Sequence, residues 1–146
     1  MIYSRVTTEQ KVAQFHKAMG LDIDSQPRSN LLQMRKKLLL EEVMEAVEAI
    51  DILSMEIERG KKGTRKQWAN LLKELADVQY VLSGTFISFN TFPNSLDPAF
   101  NRVHDSNMSK LDDNGKPIYN EYGKVLKGKN YKEPKLESLI SNGDEL

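Results

Sequence analysis

Apolar residues recur at helical spacing through most of the chain. Val12, Phe15, Ala18 and Met19 form one stripe, Thr7 or Thr8 supplies an N-cap before it, and Gly20 stands where a helix often ends left-handed. The pattern predicts a first helix over Thr8–Met19. LDIDSQPRSN reads as a loop whose Ser29 or Asn30 caps a second helix from about Leu31 to Glu58. At about 100° per residue, Leu39, Val43, Ala46, Ile50 and Ile57 share one side of it, Glu41, Glu45 and Glu48 the other, with Glu42 at the border. RGKKGTRK connects to a third helix over roughly Lys66–Ser88. Pro93, Pro98 and the Asn and Ser between them interrupt the chain, and Asp97 or Pro98 starts a short fourth helix through Ser109. In KPIYNEYGKVL two short runs, PIYN and KVL, flank Glu121-Tyr122-Gly123 and predict a small β-hairpin, followed by a last helical turn near LESLI. The expectation is an all-α bundle of four to five helices in a single domain, residues 1–146. Its helical core covers about 8–110, and a hairpin and tail about 111–146.

Composition narrows the chemistry. The length of 146 residues suits one domain with a real core. Lys plus Arg and Asp plus Glu are equal at 21 each, so charge offers no reason to expect nucleic acid as a partner. With Cys absent and only His16 and His104 present, disulfides, Cys nucleophiles and multi-histidine zinc sites are excluded. The start, MIYSRVTTEQKV, has neither an apolar core nor a small-residue cleavage site. The longest apolar run, Val78–Phe92, is too short and too polar to span a bilayer. A cytoplasmic protein with no membrane partner is expected.

Against that background the acids of the third helix stand out. ANLLKELADVQYVLSGTFISF carries only Lys73, Glu74 and Asp77 as charges, so the helix should be largely buried. Glu74 and Asp77, three apart, share a face with Leu71, Val78 and Val81. Adjacent carboxylates in such surroundings stay ionised only if cations compensate them. On the second helix Glu42 and Glu45 share a face, as do Glu41 and Glu45. Glu-Glu-x-x-Glu alone is an ordinary solvated face, and Glu48 reads as one. A short basic connection, however, makes the two helices antiparallel neighbours, bringing four or five carboxylates together. All-oxygen ligation without His or Cys matches a hard cation, Mg²⁺ or Mn²⁺.

Glu41-Glu42-x-x-Glu45 followed by Glu74-x-x-Asp77 resembles the signature of the MazG-like all-α nucleoside triphosphate pyrophosphohydrolases. That superfamily also takes in dimeric dUTPases and phosphoribosyl-ATP pyrophosphohydrolases. VAQFHKAMG, ELADVQYVLSG and VHDSNMSK carry the likeness as far as Lys110. The hairpin region matches only loosely. The resemblance implies Mg²⁺-dependent hydrolysis of a (deoxy)nucleoside triphosphate to the monophosphate and pyrophosphate. It implies Glu42, Glu45, Glu74 and Asp77 as metal ligands, with Glu42 also catalytic and Glu41 sharing a second ion or orienting the attacking water. It also implies Asn107 and Lys110 on the sugar or phosphates. For the base, Phe15 could stack on the ring and Gln14 or His16 could hydrogen-bond its edge, although Phe15 lies on the apolar stripe and reads first as a core residue. The chain would form a homodimer or homotetramer, because the third helix has more apolar surface than one subunit covers. Two rivals are phosphoribosyl-ATP pyrophosphohydrolase, a step of histidine biosynthesis, and a non-enzymatic helical bundle that only binds metal.

Overall fold

Thr7 opens the first helix, α1 (Thr8–Met19), with a reciprocal cap. Its hydroxyl oxygen accepts from the Gln10 backbone N–H at 3.1 Å, and the Gln10 side chain accepts from the Thr7 N–H at 2.8 Å. Gly20 (φ 67°) closes the helix in the left-handed region, as its position demands. A computed structural model describes residues 6–141, so the first five residues of the N-terminal stretch read for a signal lie outside the described residues. Two further long helices follow, α2 (Ser29–Glu58) and α3 (Arg65–Ile87). A second capping box, Thr64 with Gln67, starts α3. The described chain divides into two units, one ending at Asn90 and the other beginning at Thr91.

In the first unit α3 packs on both α2 and α1. Gly63 makes the α2–α3 connection possible. Its φ is +73°, and a Cβ there would stand 2.5 Å from the Leu53 side chain and 3.1 Å from Trp68 Nε1, which donates to the Lys62 carbonyl at 2.9 Å. The helices run antiparallel, with Arg35 lying against Val81 and Thr85. The Arg35 guanidinium donates to the Val81 carbonyl at 2.9 Å and to the Thr85 hydroxyl at 3.2 Å. Burial pulls its pKa down from the usual arginine value. Gly84 leaves room for it, since a Cβ there would lie 2.5 Å from Arg35 Nη2 and 2.9 Å from His16 Nε2. At the same end, the Asp24 and Ser25 N–H groups donate to the Ile87 and Ser88 carbonyls, both at 2.9 Å, which ties the α1–α2 loop to the end of α3.

The buried faces differ from the expected stripes. On α1 the core face is Val12 and His16, while Phe15 and Met19 are exposed. On α2 it is Leu31, Arg35, Ala46, Ala49 and Leu53, so Val43, Ile50 and Ile57 are exposed. The small side chains of Ala46 and Ala49 let a neighbouring helix come close, and a helix apolar on several faces buries only the one its neighbour covers. For the same reason α3 is not largely buried within one chain. Its buried residues are Glu74, Ser83, Gly84 and Phe86, whereas Trp68, Leu72, Leu75, Tyr80 and Leu82 are exposed.

The second unit holds α4 (Asp97–Met108), with Pro98 in its first turn where a missing N–H costs nothing. The expected hairpin strands do not form. A single antiparallel bridge joins Tyr119 and Val125, with the Leu126 N–H donating to the Ile118 carbonyl at 2.7 Å. The Asn120 side chain captures the N–H groups of Tyr122 and Lys124, both at 2.9 Å, and so takes the Lys124 donor away from a ladder. Pro117, which has no N–H, prevents extension on the other side. The last turn is a 3₁₀ segment, Glu137–Leu139. Arg102 anchors this region by donating to the Lys135 carbonyl at 2.8 Å and the Ser138 hydroxyl at 2.7 Å. The chain is thus all-α, with four α-helices and no sheet among the described residues. Among those residues no helix is long and apolar enough to cross a membrane.

Candidate metal centre

The antiparallel pairing that sets Arg35 against Val81 carries Glu42, two turns further along α2, to Glu74 on α3. One carboxylate oxygen from each of Glu42, Glu45 and Glu74 lies within 4.8 Å of the others. Glu74 is buried, Glu42 half-buried and Glu45 exposed, so the group opens to solvent on its Glu45 side. Glu42 Oε2 and Glu74 Oε2 are both buried and have no hydrogen-bond partner. Buried acceptors of this kind are costly unless a ligand satisfies them. Burial first, and then the carboxylates of Glu45, Asp77 and Glu74, push the Glu42 carboxyl above its usual range, with Lys73 pulling the other way. A divalent cation removes both costs at once. The donors are all carboxylate oxygens, the set a hard ion such as Mg²⁺ or Mn²⁺ takes. The residues therefore fit a divalent metal.

Asp77 stands beside this group, half-buried, and its Oδ2 lies 2.9 Å from Lys73 Nζ. The same ammonium is 3.2 Å from Glu74 Oε1. Its bonds to Asp77 and then to Glu74 hold Lys73 protonated beyond its ordinary range. Glu41 is exposed and is not among the three convergent carboxylates, and Glu48 is exposed as expected. Sequence reasoning assigned no role to Lys73. The signal was present, because Lys73 and Asp77 have the i, i+4 spacing of an intrahelical ion pair.

The residues proposed for the base lie on α1. Phe15 is partly exposed and meets Tyr80 of α3 edge to face, with ring centroids 5.5 Å apart. Tyr80 sits one turn beyond Asp77 on α3. His16 is only 3 % exposed, and its Nδ1 lies 2.8 Å from the Asp22 carbonyl oxygen. Its ring is packed between α1 and Gly84. Asn107 and Lys110 belong to the second unit, where the Lys110 ammonium donates to Asn107 Oδ1 at 3.0 Å. That unit also has an open groove lined by Arg102, Ser106, Ser109, Lys132 and Lys135 together with Asp105 and Glu133, three cations against two carboxylates.

Comparison with known proteins places this geometry in context. No curated protein matches the chain. The family model described as phosphoribosyl-ATP pyrophosphohydrolase matches residues 12–107, a span that holds the acidic residues of both α2 and α3 and stops short of Lys110. With well over half of its length matched, the chain belongs to the phosphoribosyl-ATP pyrophosphohydrolase family, within the MazG-like all-α superfamily of nucleotide pyrophosphohydrolases.

Proposed function

We propose that this protein hydrolyses a nucleoside triphosphate, or its deoxy counterpart, to the monophosphate and pyrophosphate, using a divalent cation held by Glu42, Glu45 and Glu74 with Asp77 beside them. The observation that carries this reading is the convergence of carboxylates from two antiparallel helices around buried, unsatisfied oxygens. Mg²⁺ or Mn²⁺ bound there supplies charge neutralisation for the phosphate chain and activation of water at neutral pH. The protein groups then hold and orient. Glu42 and Glu74 define the position of the ion from two helices, and Glu45 faces the solvent from which water and substrate arrive. Glu41, one residue before Glu42, would share a second ion or orient the attacking water. The base stacks on Phe15, which Tyr80 supports from α3, while His16 fixes that turn of α1 through the Asp22 carbonyl. Asn107 and Lys110, already joined to each other, would take the sugar and phosphates.

Phosphoribosyl-ATP is an equal candidate substrate, favoured by the family match itself. The bond broken is the same, and the substrate is larger. The exposed apolar faces of α2 and α3 support a homodimer or a homotetramer. Incubation of purified protein and Mg²⁺ with the ribo- and deoxyribonucleoside triphosphates and with phosphoribosyl-ATP, followed by chromatography of the products, tests both readings. Monophosphate and pyrophosphate from a triphosphate, with no growth rescue of a histidine auxotroph, supports the first reading. Release of pyrophosphate from phosphoribosyl-ATP together with rescue supports the second. No turnover on the whole panel, with a melting temperature indifferent to Mg²⁺ and nucleotide, would leave a non-enzymatic bundle.

A further inference from the structure

Arg35 holds a buried positive charge that the reaction proposed above does not use. It is 4 % exposed, and among the described residues it forms an ion pair with no carboxylate. A guanidinium buried without an acid is rare and costly, and an apolar side chain of similar volume would fill the space with less penalty. What Arg35 supplies is direction. Among the described residues, the side-chain hydrogen bonds that cross from α2 to α3 are both its own, from Nη2 to the Val81 carbonyl at 2.9 Å and from Nε to the Thr85 hydroxyl at 3.2 Å. The Thr85 hydroxyl donates in turn to the same Val81 carbonyl at 2.8 Å, so the fork closes on one turn of α3. The other buried residues of α2, Leu31, Ala46, Ala49 and Leu53, are apolar, and apolar contact does not fix how far one helix slides along another.

The acidic group depends on the same alignment. Arg35 precedes Glu42 by seven residues and Val81 follows Glu74 by seven, so in an antiparallel pair the two contacts are one register seen two turns apart. A slip of one turn would carry Glu42 about 5.4 Å along α3, further than the 4.8 Å within which the three carboxylate oxygens gather. Until a cation binds, repulsion among Glu42, Glu45 and Glu74 favours their separation. We propose that Arg35 is a positioning residue of the metal centre, its fork on Val81 and Thr85 setting the α2–α3 register in which Glu42 and Glu74 meet. The inference rests on the pyrophosphohydrolase reading only in requiring a divalent ion at those glutamates. Arg35 lies about 10 Å along α2 from Glu42, so it acts through helix position and not by contact with the ion. Gly84, whose missing Cβ leaves Arg35 Nη2 its place, belongs to the same device.

Calorimetric titration of chelator-treated protein with Mn²⁺, set beside denaturant unfolding in chelator, tests this. Arg35→Met removes the buried charge, so it should unfold no earlier than wild type in chelator. It should nevertheless bind Mn²⁺ at least about tenfold more weakly, the loss typical of groups that support metal ligands. Arg35→Lys keeps a donor for the Val81 carbonyl and should recover most of that affinity. Leu53→Val, at an equally buried position of α2 outside the fork, should lower the unfolding midpoint and leave Mn²⁺ binding unchanged. An Arg35→Met protein with wild-type affinity, or a Leu53→Val protein whose affinity falls in step with its stability, overturns the proposal while leaving the metal-dependent reaction standing. Should Arg35→Met fail to fold, Thr85→Val, which deletes one acceptor of the fork, decides: weaker Mn²⁺ binding supports the role and unchanged binding removes it. A wild type that binds no Mn²⁺ removes both the role and the metal centre.

Discussion

Glu42 on α2 and Glu74 on α3 each hold one carboxylate oxygen that is buried and has no hydrogen-bond partner, and the two side chains converge with Glu45 within 4.8 Å. Folding alone does not favour this arrangement, since like charges are brought together and desolvated. The relationship makes sense as stability given up for binding, and it sets opposite expectations for stability and function.

Glu74→Gln removes one of the converging charges and provides an amide donor for Glu42. Without metal the variant is expected to melt higher, by about 3–5 °C for a gain of about 1 kcal/mol. Wild type gains about 2.7 kcal/mol at Mg²⁺ a hundredfold above its Kd, and the variant loses that increment together with at least about a hundredfold in turnover. Calorimetric melts with and without Mg²⁺ separate the two effects. A variant that melts lower than wild type in chelator would mean that the acids are held by something other than a cation.

The loop between α1 and α2 has its own pH signature. The Arg28 guanidinium first, and the Ser25 hydroxyl second, hold the Asp22 carboxyl below its usual range, with Arg28 Nη2 at 2.8 Å from Asp22 Oδ2. A carboxyl whose pKa is depressed on folding stabilises the protein above the unfolded value, about 3.9. That stabilisation is lost as pH falls through the lowered folded value. Asp22→Asn should therefore lower the melting temperature slightly at pH 7, and the gap from wild type should close as the pH falls below the ordinary carboxylate range. A gap that persists unchanged in acid would assign the effect to shape and not to charge.

Gly84→Ala tests how closely α1, α2 and α3 meet. An exposed helical glycine replaced by alanine gains about 1 kcal/mol. Here the new methyl group would stand 2.5 Å from Arg35 Nη2 and 2.9 Å from His16 Nε2, both on buried residues. Overpacking of this sort costs about 1–3 kcal/mol, so a net loss of about 1 kcal/mol is expected in denaturant unfolding. Adding Arg35→Ala to Gly84→Ala should cost less than the sum of the two single changes, because the clash is relieved. Strict additivity would show that Arg35 moves aside freely.

Leu72 is the most exposed of the apolar side chains on α3, at 70 %, and Leu40 and Met44 of α2 are also more than half exposed. If a second subunit covers these faces, Leu72→Lys should weaken the dimer at least tenfold, in line with about 1.5–3 kcal/mol for burying a leucine. Sedimentation equilibrium would read this directly. A monomeric wild type at micromolar concentration would reject the dimer outright.

The local signals in this chain were readable without coordinates. Thr7 and Thr64 with their glutamine partners, Gly20 and the prolines around α4 fix where helices start and stop, because capping and φ restriction act within a few residues. Likewise, i, i+3 spacing on a helix is enough to set Glu42 with Glu45 and Glu74 with Asp77. Tertiary structure decided which face of each helix turned inward. Val43 and Ile50 follow the apolar period as well as Ala46 does, yet only Ala46 is buried, because contact with α3 and not hydrophobicity selects the face. It also decided that His16 packs against Gly84 and that Lys73 lies across Glu74 and Asp77. The Asn120 side chain took over the hydrogen bond that a hairpin ladder needed. Periodicity records what each residue can do along one axis. The partner it meets depends on the register between helices far apart in sequence, which no single segment encodes.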